Sequence, residues 1–564
     1  MKDGEGSFSV RLAWVILIAG LATIGLGLWG WLAAGKPPDD ALYRAVALFD
    51  INNDAYAHGE GLADWRFRVG RWTGAAVVFS SLLAIAALLR EHLATALARW
   101  TKQQVMVAGS EPLAMTAFAM ARTRDKSALW LGAPAFSARS LSVIALPWPP
   151  RDRASAVLDH ARRSDHILVA DSDDVEALSL AKAARVAAPA AEVTVLMSDM
   201  RLAEDAAATL NDAKTRVIAA GHVAARALNL AHPPFLLARE HEQARIHALL
   251  VGFGQTGQAI ARDLIVNCRT SYLALPRLTI VDPMADALEG VLRVRAPELD
   301  ECAQARFVAG EISGRAVRPE PAILANALHD GGPLTAVYVC LADDPATLSA
   351  ASMLQSLLRS LDLTAPRIFV RLRKTGAIGE GAGRPGATGL EALTPFGDLG
   401  SVLAASDFLA DAPDAAPRAF HAAYRASLTP EERESNAAAK SWEELAETYR
   451  QSNRDAVAHI PAKLASAGVD PALWVGAGLP RLGACDALTA DPARLETLAE
   501  LEHERWNAQR RMDGWRAAPE DGRDNARRRH PALKPWKQLT ERLKEFDRVI
   551  VRQTERACCG ADPP

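Results

Sequence analysis

Residues 247–265, HALLVGFGQTGQAIARDLI, indicate the type of fold more directly than any other part of the chain. An apolar run ends at Val251, three glycines follow (Gly252, Gly254 and Gly257), and a segment with helical periodicity comes next. In a Rossmann turn the first glycine permits the tight turn, the second lets the backbone approach a pyrophosphate, and the third lets the helix pack closely on the strand. The stretch therefore predicts a strand, a glycine turn and a helix whose N-terminus faces phosphate groups.

A second predicted strand ends on Asp282, where a carboxylate can accept hydrogen bonds from a ribose diol. Asp343 follows a later predicted strand, residues 336–341, at the sheet edge where such folds bind ligands. The predicted nucleotide-binding residues are Gly252, Phe253, Gly254, Gln255, Thr256, Gly257, Asp282 and Asp343. Two alternatives remain open: the glycine turn is purely structural, and Asp343 caps the helix that follows it.

The length and charge of the chain limit the classes of function. At 564 residues the chain is too long for one hydrophobic core and predicts about three or four domains. Its formal net charge of −3 shows no preference for a polyanion, so nucleic acid is not a predicted partner. The six cysteines form no CxxC pair and have no regular spacing. This pattern predicts neither a zinc site nor a disulfide framework and favours a reducing compartment.

Two uncharged apolar runs lie near the N-terminus. Residues 12–34 and residues 72–89 are each long enough to cross a bilayer, and Arg71 and Arg90 flank the second run. We therefore predict that residues 1–100 form two transmembrane helices with a connecting loop. The alternatives are a cleaved signal peptide for the first run and a buried soluble helix for the second. The connecting loop has no TVGYG-like filter, which argues against a potassium pore of that kind.

The location is predicted from chemistry, because arginines flank both ends of the second apolar run and leave the orientation undetermined. A nucleotide-type domain and unpaired cysteines favour cytoplasmic termini. We predict a multi-pass protein of the inner (cytoplasmic) membrane with a large cytoplasmic C-terminal region.

Strand-like and helix-like segments alternate through the middle of the chain, which predicts tandem Rossmann-like α/β domains with parallel sheets. The first domain, residues 101–240, has a degenerate turn that lacks the second and third glycines and places Glu111 where it would repel a pyrophosphate. The second domain, residues 241–412, contains the glycine motif. With a mostly helical region at residues 413–564, the predicted fold class is a membrane-anchored multidomain protein.

Three motifs of the second α/β domain, GFGQTG at 252–257, TIVD at 279–282 and VCLADD at 339–344, resemble the nucleotide-binding domains of TrkA-type potassium-uptake regulators and RCK domains. The resemblance implies that this domain binds NAD(H) or another adenine nucleotide and transmits its ligand state to a membrane partner. The residues carried over are Gly252, Gly254, Gly257 and Asp282, with Asp343 as a looser match.

The C-terminal region contains an internal repeat. Each copy has the order helix, loop, Trp-x-x-Leu and helix, with the Trp-x-x-Leu motifs at 442–445 and 536–539. In the second copy, EHERWNAQRRMDGW at 502–515 and HPALKPW at 530–536 resemble the ryanodine-receptor (RyR) repeat domain. The resemblance implies a small helical module that binds a nucleotide-derived signal.

Helical spacing places His503, Trp506 and Arg510 on one face, which can stack a base and hold a phosphate. The predicted ligand-binding residues of this region are His503, Trp506, Arg510, Trp515, Tyr424 and Arg454. His459 and Lys463 are expected on the facing wall. The alternative is that the tryptophans anchor the core and that the arginines pair with nearby carboxylates, namely Glu502, Glu504 and Asp513.

No catalytic residue and no metal site are predicted, because the sequence contains no Walker, GxSxG or HExxH motif and no plausible Cys–His pair. The leading hypothesis is a membrane-embedded nucleotide sensor that forms a homo-oligomer, acts on a partner transporter, and regulates ion transport or a membrane effector response. Two alternatives are a nicotinamide-dependent oxidoreductase and a ligand-gated channel or effector of a nucleotide-signalled defence system.

Overall fold

The computed structural model describes most of the chain. The described residues are 3–49, 64–100, 102–124, 126–133, 144–149, 152–210, 212, 214–361, 363, 367–374, 389–406, 408–410, 414–469, 488–519 and 522–559, with backbone only for 3–13, 84, 86–100, 144 and 559. The chain divides into two compact units. The first comprises residues 1–101 and 138–146, and the second comprises residues 102–137 and 147–564.

The first unit is built from three helices and a short strand. These are α1 Asp3–Ala33, α2 Pro38–Val46, α3 Trp65–Trp100 and β3 Ile144–Leu146. Its buried cluster forms where Trp31 of α1 meets Phe67 of α3, with ring centroids 4.4 Å apart, and where Ala41 and Leu48 pack against them. The connection between α1 and α3 is therefore partly folded onto the helices.

One helical segment of the described chain, Trp14–Ala33, is long and apolar enough to cross a membrane, where the sequence predicted two spans. Several of its apolar side chains, including Trp14, Ile18 and Leu21, are more than half exposed. The predicted second span, residues 72–89, is helical throughout as part of α3. Its residues 84 and 86–89 lie outside the described side chains, so this second span stays a prediction.

The first α/β domain contains a parallel sheet. Its strands in the second unit are β1 Gln103–Ala108, β2 Ala128–Leu131, β4 Ser164–Val169, β5 Glu192–Met197 and β6 Thr215–Ala219. Their spatial order is β2-β1-β4-β5-β6, so the order reverses between β1 and β4 as in a Rossmann sheet. The accompanying helices are α4 Leu113–Thr123, α5 Arg153–His160, α6 Asp174–Ala187, α7 Met200–Leu210, α8 Ala220–Ala231 and α9 Pro234–Glu240.

The second α/β domain repeats this plan. Its six parallel strands are β7 Arg245–Val251, β8 Ala274–Asp282, β9 Gln304–Ala309, β12 Ala336–Val339, β13 Ile368–Arg371 and β14 Leu393–Phe396. The order β9-β8-β7-β12-β13-β14 reverses between β7 and β12. Its helices are α10 Gln255–Val266, α11 Ala285–Arg295, α12 Pro321–His329, α13 Asp344–Ser360 and α14 Leu399–Ala405, and an antiparallel pair is formed by β10 Glu311–Ile312 and β11 Val317–Arg318.

The predicted tandem of Rossmann-like domains is confirmed, but two strands of the parallel sheets, β6 and β14, and the short antiparallel pair β10–β11 were not predicted. Strands β6 and β14 both lie at the edge of their sheet in the described chain. Strand β6 has the sequence TRVIA, and β14 has the sequence LTPF, whose proline is tolerated at an edge. Short edge strands carry a weak apolar pattern because one side of the strand has no sheet neighbour.

The C-terminal region is mostly helical, as predicted. Its elements are α15 Ala415–Ala426, α16 Pro430–Ser435, α17 Glu447–Ala458, α18 Ile460–Ser466, α19 Pro492–Met512 and α20 Glu541–Cys559, with a two-residue parallel pair β15 Arg516–Ala517 and β16 Arg529–His530. Asp491 caps the N-terminus of α19 through its side chain. Helix α20 packs against both α15 and α19, which joins the two copies of the repeat.

The internal repeat has a structural counterpart. In the first copy His421 Nε2 lies 2.8 Å from the carbonyl of Lys440, and the His421 ring contacts Trp442. In the second copy His503 Nε2 lies 2.9 Å from the carbonyl of Lys534, and its ring contacts Trp536. In each copy a histidine N–H therefore ties its helix to the loop that carries the Trp-x-x-Leu motif.

Candidate nucleotide site and domain junction

The glycine turn has the geometry that its sequence predicts. Gly252 has a φ of +87°, and a Cβ there would lie 2.6 Å from the carbonyl oxygen of Cys340 on the neighbouring strand. A Cβ on Gly257 would lie 2.4 Å from the oxygen of Gly252. These two positions require glycine for backbone reasons. Gly254 is different, because a Cβ there would have no neighbour within 4 Å among the described residues and the position is exposed.

The N-terminus of α10 is open. Gly254 is its N-cap residue, and no side chain in the described part of the chain caps the helix. The first amide groups of a helix and its macrodipole together attract an anion. The turn also lies between β7 and β12, where the strand order reverses and where α/β sheets bind ligands. The backbone arrangement therefore fits a pyrophosphate.

Asp282 lies beside the turn at the end of β8. One of its carboxylate oxygens accepts a hydrogen bond of 2.8 Å from the Phe253 amide, and the other accepts one of 2.8 Å from the Met284 amide. A carboxylate has about four acceptor sites, so this arrangement leaves capacity for ribose hydroxyls. The acid holds the turn in shape and remains a candidate partner of a ribose.

The other predicted residues of the turn differ in their exposure. The Phe253 side chain is buried and packs edge-on against Phe307 with ring centroids 5.5 Å apart, so only its backbone belongs to the site. Thr256 is half-buried in the first turn of α10. Gln255 points to the other α/β domain: its side chain accepts a 3.0 Å hydrogen bond from the Met200 amide and donates one of 3.0 Å to Asp199.

We expect Gln255→Ala to loosen this contact between the two α/β domains. The substitution removes two hydrogen bonds, worth on the order of 1 kcal/mol each, and leaves the Met200 amide at the start of α7 without its acceptor. Hydrogen–deuterium exchange at Met200 should become about fivefold faster. Gln304→Ala, which removes a side-chain bond to Arg245 at an exposed position, is the matched control and should leave Met200 unchanged. Equal exchange in both variants would contradict a domain-linking role of Gln255.

Asp343 acts as a helix cap, the alternative that the sequence left open. Its side chain accepts a 2.8 Å hydrogen bond from the Ala346 amide at the start of α13. Asp344 accepts hydrogen bonds from the amides of Arg373 and Lys374 after the next strand. The first domain repeats this pair: Asp173 caps α6, and Asp174 accepts from the amides of Ser198 and Asp199. The repeated acids therefore support the loops at the strand ends, and a ligand role for Asp343 stays a prediction.

In the helical region the structure brings His503, Trp506, Arg510 and Trp515 together. His503 is buried and stacks on Trp506 with ring centroids 5.9 Å apart. Its Nδ1 lies 3.3 Å from a carboxylate oxygen of Asp547. Burial disfavours the charged imidazole, but the hydrogen bond to Asp547, the charge of that carboxylate and the hydrogen bond to the Lys534 carbonyl together raise the pKa of His503. His503 is thus held by its own domain on both ring nitrogens.

Arg510 occupies an aromatic box. Its guanidinium carbon lies 5.4 Å, 5.6 Å and 5.4 Å from the ring centroids of Tyr449, Trp506 and Trp515. The side chain is 5% exposed, and its Nε and NH1 have no hydrogen-bond partner in the described part of the chain. Burial lowers the pKa of Arg510. Cation–π attraction from the three rings stabilises this buried guanidinium.

Tyr424 and Arg454 lie elsewhere in the helical region. Tyr424 accepts a 2.9 Å hydrogen bond from Asn436, and its ring packs against Phe546 of the second copy. Arg454 donates two hydrogen bonds of 2.9 and 2.7 Å to Asp414 and a third to Glu447. Its guanidinium is therefore largely used within the protein, as the alternative interpretation expected.

His459 and Lys463 do not form a ligand wall, because both are fully buried against Glu502. The Lys463 ammonium lies 2.7 Å from the Glu502 carboxylate, and Arg505 donates to the same carboxylate at 2.8 Å. Burial would raise the pKa of Glu502, but the Arg505 and Lys463 charges hold it well below its usual value. This buried cluster joins α18 to α19.

A second ion cluster, for which the sequence contains no local signal, joins three domains. Asp455 of α17 is fully buried and lies 2.7 Å from Arg226 of α8 and 3.0 Å from Arg262 of α10. Arg262 also lies 3.4 Å from Asp513 at the end of α19. Burial would raise the pKa of Asp455, but the Arg262 and Arg226 guanidiniums lower it to about 2. These ion pairs attach the helical region to both α/β domains.

The described residues contain no group of three His, Cys, Asp or Glu side chains placed to hold a metal ion. Four cysteines, Cys268, Cys302, Cys340 and Cys558, are free and buried. Burial raises the pKa of Cys302 and Cys558 to about 11 and that of Cys340 to about 12, so these three thiols stay protonated. A protonated, buried thiol is a poor nucleophile.

Residues 490–561 match the RyR domain family. The chain carries a RyR domain. This match confirms the resemblance drawn from the 502–515 and 530–536 motifs, and the domain comprises α19, the Trp-x-x-Leu loop and α20. No curated protein matches the chain.

Among solved structures, the chain is similar to the GsuK channel, at 15% identity over 70% of this chain and 94% of that one, with a TM-score of 0.34. A structure of the GsuK channel bound to NAD aligns at 12% identity over 71% and 82% of the two chains, also with a TM-score of 0.34. A dipicolinate synthase from Bacillus halodurans aligns at 11% identity over 55% and 97%, with a TM-score of 0.21. At such TM-scores the superpositions support no statement about a ligand or an activity.

Proposed function

We propose that this protein is a membrane-anchored nucleotide sensor whose second α/β domain binds NAD(H) or a related adenine nucleotide at the glycine turn. The observation that carries the proposal is the open N-terminus of α10, where Gly254 leaves room for a phosphate at the reversal of the strand order. Asp282 beside the turn is the candidate partner of the ribose. Among the described residues, no side chain caps α10 and no atom lies within 4 Å of a Cβ built on Gly254, so the first amides of the helix are open to a phosphate.

The ligand state is passed on through the contact between the two α/β domains. Gln255 follows Gly254 directly and is bonded to Asp199 and Met200 of the first domain. A nucleotide that binds more tightly to one arrangement of α10 than to another shifts the population of the domain arrangements. Arg262 of α10 forms ion pairs with Asp455 and with Asp513 of the RyR domain. A movement of α10 would therefore also move the RyR domain.

The change in domain arrangement that follows nucleotide binding acts on the membrane segment or on a membrane partner. The candidate span Trp14–Ala33 supports an anchor, and residues 72–89 are proposed as a second span that makes the protein multi-pass in the inner membrane. A homo-oligomer or a partner transporter would convert the domain arrangement into altered ion transport, including potassium transport, or into a membrane effector response.

The proposal is tested by titrating the full chain, purified in detergent, with NAD, NADH, ADP, ADP-ribose, ATP and cyclic dinucleotides. Binding of NAD or NADH should raise the unfolding temperature, because a ligand of the folded state stabilises it by mass action. No change in nicotinamide absorbance is expected. A change in that absorbance would identify an oxidoreductase instead, and the absence of any nucleotide effect would refute the sensor.

A further inference from the structure

A large cavity lies where the three domains of the second unit meet. Its volume is about 1670 Å³, and its walls come from α7, β6 and α8 of the first α/β domain, α10 and α11 of the second, and α17 and the β15–β16 segment of the helical region. Ligand pockets usually measure about 300–1,000 Å³, so the cavity has room for a nucleotide and water. The lining does not include Gly252, Gly254 or Asp282. It is therefore a different place from the glycine turn.

The described lining of the cavity has more basic than acidic side chains. Among the described residues, ten arginines and six acidic side chains line it. Arg262 and Arg454 are paired with carboxylates, whereas Arg201 and Arg529 are exposed at the wall. An excess of guanidinium groups in a cavity with low-dielectric walls attracts an anion, and guanidinium groups match phosphate geometry.

One wall carries buried polar atoms that have no hydrogen-bond partner among the described residues. His222, Arg226 and Asn229 recur at helical spacing on α8, and all three line the cavity. His222 Nε2, Arg226 Nε and Asn229 Oδ1 are buried and have no hydrogen-bond partner in the described part of the chain. Buried polar atoms of this kind are normally satisfied, by protein, water or a ligand. Each of these three atoms has almost no accessible surface, so a ligand in the cavity meets the accessible part of these side chains, such as the partly exposed Arg226, rather than the atoms themselves.

The lining is also partly apolar. Leu230 follows the polar residues of α8 and is 37% exposed, and Val294 of α11 is 81% exposed. Tyr449 and Trp515 line the cavity next to Arg510, over which both rings lie. A purely inorganic anion would leave these apolar groups in contact with water. A nucleotide, with a flat base and a phosphate group, complements both kinds of lining.

We propose that this junction cavity is a second nucleotide site, which takes a phosphate-bearing nucleotide and holds it jointly by the two α/β domains and the RyR-containing helical region. The phosphates lie among the arginines, and the polar face of α8 binds the remaining polar groups. Because the walls belong to three domains, an occupied cavity favours the arrangement in which they are docked. This site goes beyond the site at the glycine turn and does not depend on it.

The test uses the full chain with Gly254→Glu, which closes the glycine turn, and measures ADP and inorganic pyrophosphate binding by calorimetry. We expect ADP to bind this protein and to bind at least tenfold more tightly than pyrophosphate. Adding Arg226→Gln or Ala227→Trp should weaken ADP binding at least tenfold, since the first removes a wall donor and the second fills the cavity. Arg293→Gln, an exposed position of α11 outside the cavity, is the control and should have no effect.

Two different substitutions, Arg226→Gln and Ala227→Trp, are used so that a loss of ADP binding can be distinguished from a loss of folding. Arg226→Gln weakens the ion pair with Asp455, whereas Ala227→Trp leaves that pair intact. The unfolding temperature without ligand shows whether each variant is folded. Three results would overturn the proposal: no ADP binding with Gly254→Glu, ADP binding that is insensitive to Ala227→Trp, or pyrophosphate binding as tightly as ADP. NAD binding at the glycine turn can survive all three results, so failure here is distinguishable from failure of the sensor.

Discussion

Gly254→Glu is expected to weaken NAD binding at the glycine turn at least 100-fold without unfolding the protein. The backbone at Gly254 has a φ of −70°, which any residue adopts, and a Cβ there meets no described atom within 4 Å. The loss of affinity follows because the glutamate places bulk and negative charge where the phosphates approach the amides of α10. A negative charge near a helix N-terminus also favours the helix, so the unfolding temperature should hold.

The measurement is a calorimetric titration with NAD in protein that carries Ala227→Trp, so that only the glycine turn is assayed. The matched control is Gly290→Glu on α11, another exposed glycine where a Cβ has no described atom within 4 Å. It adds the same charge to the same domain and should leave the affinity unchanged. Undiminished NAD binding in the Gly254→Glu protein would show that the turn is purely structural.

Asp455→Asn is expected to destabilise the docked domains by about 3 kcal/mol. The substitution keeps the shape of the side chain but leaves two guanidiniums, Arg226 and Arg262, without the buried charge that offsets their desolvation. Urea unfolding followed by tryptophan fluorescence should show an earlier transition. Asp513→Asn, which removes a half-buried carboxylate that shares Arg262 at 3.4 Å, is the control and should cost less than about 1 kcal/mol.

The pH dependence of the free energy of unfolding gives a second test of the role of Asp455. The pKa of Asp455 is lowered to about 2 in the folded protein. In the unfolded chain it is about 3.9. As the pH falls, the Asp455 carboxylate is therefore protonated in the unfolded chain before it is protonated in the folded protein. Its contribution to the free energy of unfolding is complete above pH ~4 and is lost towards pH ~2. The advantage of the native protein over Asp455→Asn should shrink by on the order of 2 kcal/mol across this window. A constant difference would contradict a charged Asp455.

Local sequence patterns were sufficient to predict the fold of the two α/β domains. The apolar run before Gly252, the helical periodicity after Gly257 and the acid at Asp282 all act within a few residues of one another, and the structure reproduces each. The repeated order of helix, loop, Trp-x-x-Leu and helix likewise predicted two copies, and the structure shows matching histidine contacts in both. Such features are visible in sequence because backbone conformation and strand or helix burial impose short periods.

The site residues were harder to predict, because the sequence does not show which polar groups a protein keeps for itself. Phe253 belongs to the turn but buries its ring, and Gln255 is bonded to the other α/β domain. Arg454 resembled a phosphate ligand, yet two carboxylates already hold it. Helical spacing placed His503, Trp506 and Arg510 on one face, but not the aromatic box that encloses the arginine.

The tandem of α/β domains, the glycine turn with its neighbouring acid, and the RyR domain can all be read from the sequence, because each depends on residues close together along the chain. The junction between the domains depends instead on tertiary structure. Arg226 and Asp455 are 229 positions apart, and Arg262 and Asp455 are 193 apart. No local pattern relates residues at such separations, since their meeting depends on how whole domains dock. The arginine-lined cavity exists only because three domains place their walls around one volume.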